Sequence, residues 1–329
     1  MLFHERNLKN ILSNIMLALI NFFERYVGFV LRIGVSLFLL LLIFRTFSVA
    51  KLVTVMLSLD LWWVIFAMVV ALLRNAVSAL RWKTILDFQG LKISFQQTYR
   101  AYLESYTFSQ FLPTSIGGDV RRGWVIRGQS YSLGNAYSGL LFERIVGQFG
   151  LAIIGFTGIL GLPVRALKIL SLVSNVILLL LFGFFFVFLL MLPKLLEVIL
   201  IRLAAADRAI DHLKRLINKI LIMKISLYSM AFQFLVVLGI WSMSRAANIP
   251  VPLLFYMGVI PVASLVSLLP ISINGWGIRE GVYYYFLYSI GINTGEAAII
   301  ALLFNLPNLF LSLVGIISFW RGHQVQYAG

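Results

Sequence analysis

Long apolar runs separated by short polar, basic stretches set the pattern of this chain. Six windows, residues 28–46, 61–80, 136–162, 167–192, 222–244 and 296–320, read as spans, since about 20 helical residues cross about 30 Å of hydrocarbon. In residues 1–27, Leu8, Ile11, Ile15, Leu19 and Phe22 recur at helical spacing, with glutamates nearby and no small-residue cleavage site. That pattern predicts an interfacial amphipathic helix in place of a removable signal peptide. Residues 194–221 read as a second, basic amphipathic helix, suited to an anionic leaflet or to docking a partner enzyme. Residues 28–320 then form one transmembrane domain and 321–329 a tail.

Two polar interruptions break this pattern: "FLPTSIGGDVRRGW" at 111–124 and "LLPISINGWGIREG" at 268–281. Adding 157 to the residue number carries Leu112, Pro113, Ser115, Ile116, Gly118 and Arg122 onto Leu269, Pro270, Ser272, Ile273, Gly275 and Arg279. The same shift carries the window at 61 close to the one at 222, and the window at 136 close to the one at 296. Each motif is taken to enter and leave on one side of the membrane, so the first half crosses three times and the second half starts from the opposite face. The expected fold is an all-α, polytopic membrane bundle, an inverted repeat of halves 28–162 and 167–320 with two broken or re-entrant helices. Such breaks are tolerated at depth only where the freed backbone faces protein or a water-filled cavity, and in transporters built this way half-helix N-termini face anionic substrates.

Apolar residues make up 61% of the 329 positions and charged residues 12%, far from the roughly 25% charged of soluble domains. The formal charge of +15 does not call for nucleic acid, because 19 of the 27 Lys and Arg lie in segments 1–32, 81–132, 193–224 and 321–329. By the positive-inside rule those segments, with both termini, are cytoplasmic, which places the chain in a cell inner membrane. Anionic lipid is the expected electrostatic partner. With no cysteine, and His4, His212 and His323 outside the spans, neither a metal site nor a cofactor is expected.

The candidate site residues follow from the motifs. Arg122 and Arg279 are forked donors for a lipid phosphate. Gly118, Asn274 and Gly275 shape the breaks, beside Ser115 and Ser272. Asp119, whose repeat equivalent is Trp276, reads as a helix cap or as the counter-charge of Arg122. Glu143 and Arg144, adjacent in a span, need separate partners: Arg122 or Arg279 for the first, Asp119 or a phosphate for the second. Arg74 reads as snorkelling to the cytoplasmic interface, Glu280 as favouring a helix start, and Trp62, Trp63, Trp276 and "VYYYFLY" as interfacial belts.

"ALRWKTILDFQG", "FLPTSIGGDVRRGW", "NAYSGLLFERIVG" and "LLPISINGWGIREG", in that order, resemble the transmembrane domain of lysylphosphatidylglycerol synthases, the multiple peptide resistance factor family. The resemblance runs from about residue 30 onward and implies a lipid flippase. In that family a separate soluble domain performs aminoacyl transfer. This chain ends soon after its last span and resembles a stand-alone member, so no enzymatic activity is expected. The expected function is movement of an anionic amphiphile between leaflets, whether phospholipid, glycolipid, hopanoid or polyprenyl-linked lipid. The alternative is a non-transporting scaffold for a lipid-modifying or cell-envelope enzyme.

Overall fold

Asp60 opens the first long span. Its carboxylate accepts the Trp62 N–H at 2.9 Å and caps a helix that runs from Leu61 to Phe88. The structure, a computed structural model, describes residues 30–111, 117–127, 133–159, 219–267 and 271–327. The predicted N-terminal helix, the 167–192 span and nearly all of the basic 194–221 segment lie outside these residues.

Among the described residues the regular elements are helices. They are α1 (Val30–Phe44), α2 (Val49–Leu57), α3 (Leu61–Phe88), α4 (Phe95–Phe111), α5 (Gly117–Arg127), α6 (Leu133–Ile159), α7 (Lys219–Ala246), α8 (Leu253–Val266), α9 (Ile278–Ser289), α10 (Thr294–Leu303) and α11 (Leu306–Tyr327). The first window is a bent pair, α1 and α2 meeting at 79°. The last expected span is interrupted at Phe304–Asn305, because Pro307 offers no N–H and its ring crowds the carbonyl four residues back. Beyond it α11 continues as helix to Tyr327, through most of the stretch expected to be a tail.

The helix order repeats. Shifted by 157, α3 becomes 218–245 against the observed Lys219–Ala246 of α7, and α4 becomes 252–268 against Leu253–Val266 of α8. Shifted α5 overlaps α9, and shifted α6 covers α10 and half of α11. Packing follows the repeat: α3 lies along α7, while α4 packs on α11 and α8 packs on α6, each pair exchanging mates across the halves. The crossings use equivalent glycines. A Cβ on Gly158 of α6 would collide with the Met257 and Gly258 backbone of α8, and one on Gly315, 157 residues later in α11, with the Leu103 carbonyl of α4. Small residues at helix crossings let backbones approach where lipid supplies no hydrophobic drive.

The apolar core holds buried polar side chains, and the outer surface along the spans is itself apolar. Asn75, Ser229, Ser242 and Ser244 are fully buried, whereas Phe156, Met223, Leu227 and Leu313 are more than 60% exposed along the spans. That is the surface a bilayer accepts and water does not.

Candidate functional site

The first motif's helix carries Asp119 and Arg122 three residues apart, on one face, and Arg122 donates to Asp119. A second Arg122 nitrogen donates to Glu143 of α6 at 2.9 Å and to the Tyr102 hydroxyl of α4. Glu143 is 2% exposed. It also accepts from Arg81 of α3, at 3.1 Å from Nε and 2.5 Å from Nη2, and from the Tyr102 hydroxyl. Arg81 reaches on to Ser229 Oγ of α7 at 3.2 Å. Asp119 holds Arg144 as well. Three cations thus share two carboxylates, and one buried carboxylate ties α3, α4, α5 and α6 together. The Arg122 guanidinium also lies 4.4 Å from the Tyr102 ring centre, a favourable cation–π placement away from water. Beside this network Arg121 pairs with Glu104 at 2.6 Å.

The second motif is built differently. Asn274, Gly275 and Gly277 all take positive φ, at 50°, 76° and 83°, which two glycines tolerate freely and asparagine more readily than most residues. This turn delivers Arg279 to the first turn of α9. Its Nη2 donates to the Asn274 carbonyl at 3.0 Å, and its Nε is buried without a hydrogen-bond partner. Arg74 of α3 is in the same condition: 8% exposed, bonded to Asn308 Oδ1 at 2.7 Å, with Nε unpartnered. Both arginines border a cavity of about 230 Å³, together with Gln233, Ser264, Tyr283 and Asn305. Among the described residues no carboxylate forms an ion pair with either. The neighbouring carboxylate, Glu280, is fully buried and committed elsewhere: it accepts the Gly277 N–H at 2.6 Å and the Asn305 side-chain amide. The Pro307 break creates this lining, because it frees the turn from which Asn305 and Asn308 project.

The structure gathers Asp119, Arg122, Glu143 and Arg144 into one network and places Arg279 in the cavity, apart from it. Gln110, near the end of α4, reaches the second motif's turn, where it accepts from the Asn274 amide at 3.4 Å and from the Trp276 indole at 3.1 Å. Gly118 and Gly275 are close-approach positions: a Cβ would press on Ser105 and Ser109 in the first case and on Ser267 in the second. Ser272 is buried with its hydroxyl unpartnered, and Ser115 lies outside the described residues. Three expectations are corrected. Arg74 does not snorkel, because α3 continues to Phe88 and leaves it in the interior. Trp276 is no belt residue, since it is half-buried and donates to Gln110. Tyr283 is buried against Phe304, with 5.2 Å between ring centres.

Sequence reasoning missed Arg81, Tyr102, Asn305 and Asn308. One available signal was spacing: Arg74 and Arg81, and Tyr102 and Tyr106, stand seven and four residues apart, each pair on one helix face.

Fold and site together define a multi-pass, all-α membrane protein in which one motif arginine is neutralised and its repeat equivalent borders a cavity. The chain belongs to the family described as lysylphosphatidylglycerol synthase TM region, whose profile matches residues 29–315. A comparison with curated proteins gives no match.

Proposed function

We propose that the protein moves an anionic amphiphile between the leaflets of a cell membrane. The observation that carries this reading is Arg279: a cation at the start of α9 bordering a cavity, whose hydrogen-bond partner among the described residues is a single backbone carbonyl. An intramembrane charge costs about 2.5–3.5 kcal/mol on insertion scales even before partners are counted, and a purely structural arginine would recover that by pairing, as Arg122 does. An apolar groove of about 330 Å³ runs along the neighbouring face of α9, past Gly277, Gly281 and Tyr285 and against Leu39 of α1. One short helix therefore separates a cationic cavity from an acyl-compatible groove, the two chemistries that an amphiphile carries. Family membership supports the same reading. The protein reconstituted in liposomes should accelerate exchange of tail-labelled phosphatidylglycerol between leaflets over protein-free liposomes. A scaffold for a lipid-modifying enzyme predicts no protein-dependent exchange of any lipid.

A further inference from the structure

We infer that Arg74 and Arg279 form a two-armed site for a phosphoryl group. This deepens the lipid-translocation reading and rests on it for the source of the ligand. The two side chains come from different halves of the repeat, one from the middle of α3 and one from the start of α9, and border the same cavity. Each is oriented by one neutral acceptor, Asn308 Oδ1 for Arg74 and the Asn274 carbonyl for Arg279. Each keeps a buried Nε–H that no atom of the described residues accepts. A charged donor left unmade costs about 1–3 kcal/mol or more, and both guanidinium groups border one cavity with no carboxylate paired to either among the described residues, so an anion seated there would reach two cations at once.

The acceptor's chemistry follows from the arms. One guanidinium fork satisfies a planar carboxylate, whereas two forks from separate helices suit the non-coplanar oxygens of a tetrahedral phosphoryl group. Ser264 and Gln233, also on the cavity wall, offer neutral donors to the remaining oxygens. At about 230 Å³ the cavity falls below the roughly 300–1,000 Å³ of small-molecule sites. It admits a phosphoryl headgroup and leaves the acyl chains outside.

The test measures calorimetric binding of dihexanoylphosphatidylglycerol to the full chain in neutral detergent, with inorganic phosphate as competitor. Chloride and dihexanoylglycerol serve as the arms that lack a phosphoryl group. Phosphate should displace the lipid while chloride and dihexanoylglycerol do not. Arg74→Gln and Arg279→Gln should each weaken binding at least about tenfold, the loss expected for a charge-assisted hydrogen bond. Arg100→Gln, at a side chain that bonds the Ser318 carbonyl outside the cavity, should bind as the parent does. Arg74→Lys and Arg279→Lys retain the charge and should fall between. If the glutamine variants fail to fold, competition on the parent protein decides. Parental affinity in both glutamine variants, or displacement by dihexanoylglycerol as good as by phosphate, overturns the site. Phosphate binding without lipid binding keeps the phosphoryl site but withdraws its support from lipid translocation. Lipid binding without leaflet exchange keeps the site and sinks the transport reading, so the two failures are distinguishable.

Discussion

Glu143→Gln is the most severe single change available in the ion network. It preserves shape and one acceptor oxygen but removes the negative charge that Arg81 and Arg122 share at 2.5 and 2.9 Å. Asp119 still holds Arg122, whereas Arg81 forms no other ion pair among the described residues. Its other polar contacts, the Ser229 and Tyr102 hydroxyls, carry no negative charge. With Glu143 2% and Arg81 8% exposed, water cannot take over, and removing one partner of a buried pair costs about 3–5 kcal/mol. The unpaired cation, not the lost attraction, dominates that figure. The double variant Glu143→Gln with Arg81→Met should therefore recover at least about 2 kcal/mol relative to the sum of the single changes, a coupling of the size contacting charges show. Thermal melting in detergent, followed by the monodisperse fraction on size exclusion, reads the effect as a drop on the order of 10 °C for Glu143→Gln. Melting of Glu143→Gln within about 2 °C of the parent, or strictly additive double-variant losses, would show that the network is solvated and holds nothing together.

Other outcomes follow from the same geometry. Asp119→Asn should melt higher than Glu143→Gln in that assay, because Arg122 keeps Glu143 and Arg144 is already 44% exposed. Gly158→Ala and Gly315→Ala should each lose about 1–3 kcal/mol from overpacking at the helix crossings, while Gly34→Ala, with open space at its Cβ, should be neutral or stabilising; tolerance at both crossings would contradict the repeat packing. The cysteine-free sequence permits a direct orientation test: Ser48→Cys and Ser94→Cys are both exposed, and a membrane-impermeant thiol reagent outside intact cells should label the first and spare the second. The reverse pattern would invert the topology drawn from the basic residues.

The sequence carried the long described spans and the second motif's turn because apolar length, proline and glycine act locally. The start of α3 needed only Asp60 before an apolar run, and the window start at 61, shifted by 157, falls within one residue of the start of α7. What stayed hidden depends on which helix faces which. Arg74 read as near an interface because the apolar window stops at 80, yet the helix continues to Phe88. About 21 Å of helix, fourteen residues at 1.5 Å each, separates it from that end. Lys83 and Asp87, which end the apolar pattern, pair with each other at 2.5 Å on the helix surface and allow it to continue. Asp119, Arg122, Glu143 and Arg144 could be suspected as charges in an apolar chain, but Arg81 looked like loop charge and Tyr102 like any aromatic. The equivalence of Gly158 and Gly315 was visible as a match but had no meaning until α8 and α4 were seen crossing them.

The central claim is that the unneutralised arginine on the second broken helix handles an anionic lipid. The measurement closest to it compares leaflet exchange of tail-labelled phosphatidylglycerol in liposomes holding equal amounts of parent, Arg279→Lys and Arg279→Ala protein, each shown to be monodisperse. Loss of the charge should slow protein-dependent exchange at least about tenfold, and lysine should restore it in part, since a point charge cannot present the guanidinium's fork. Exchange by Arg279→Ala at the parental rate would contradict the account.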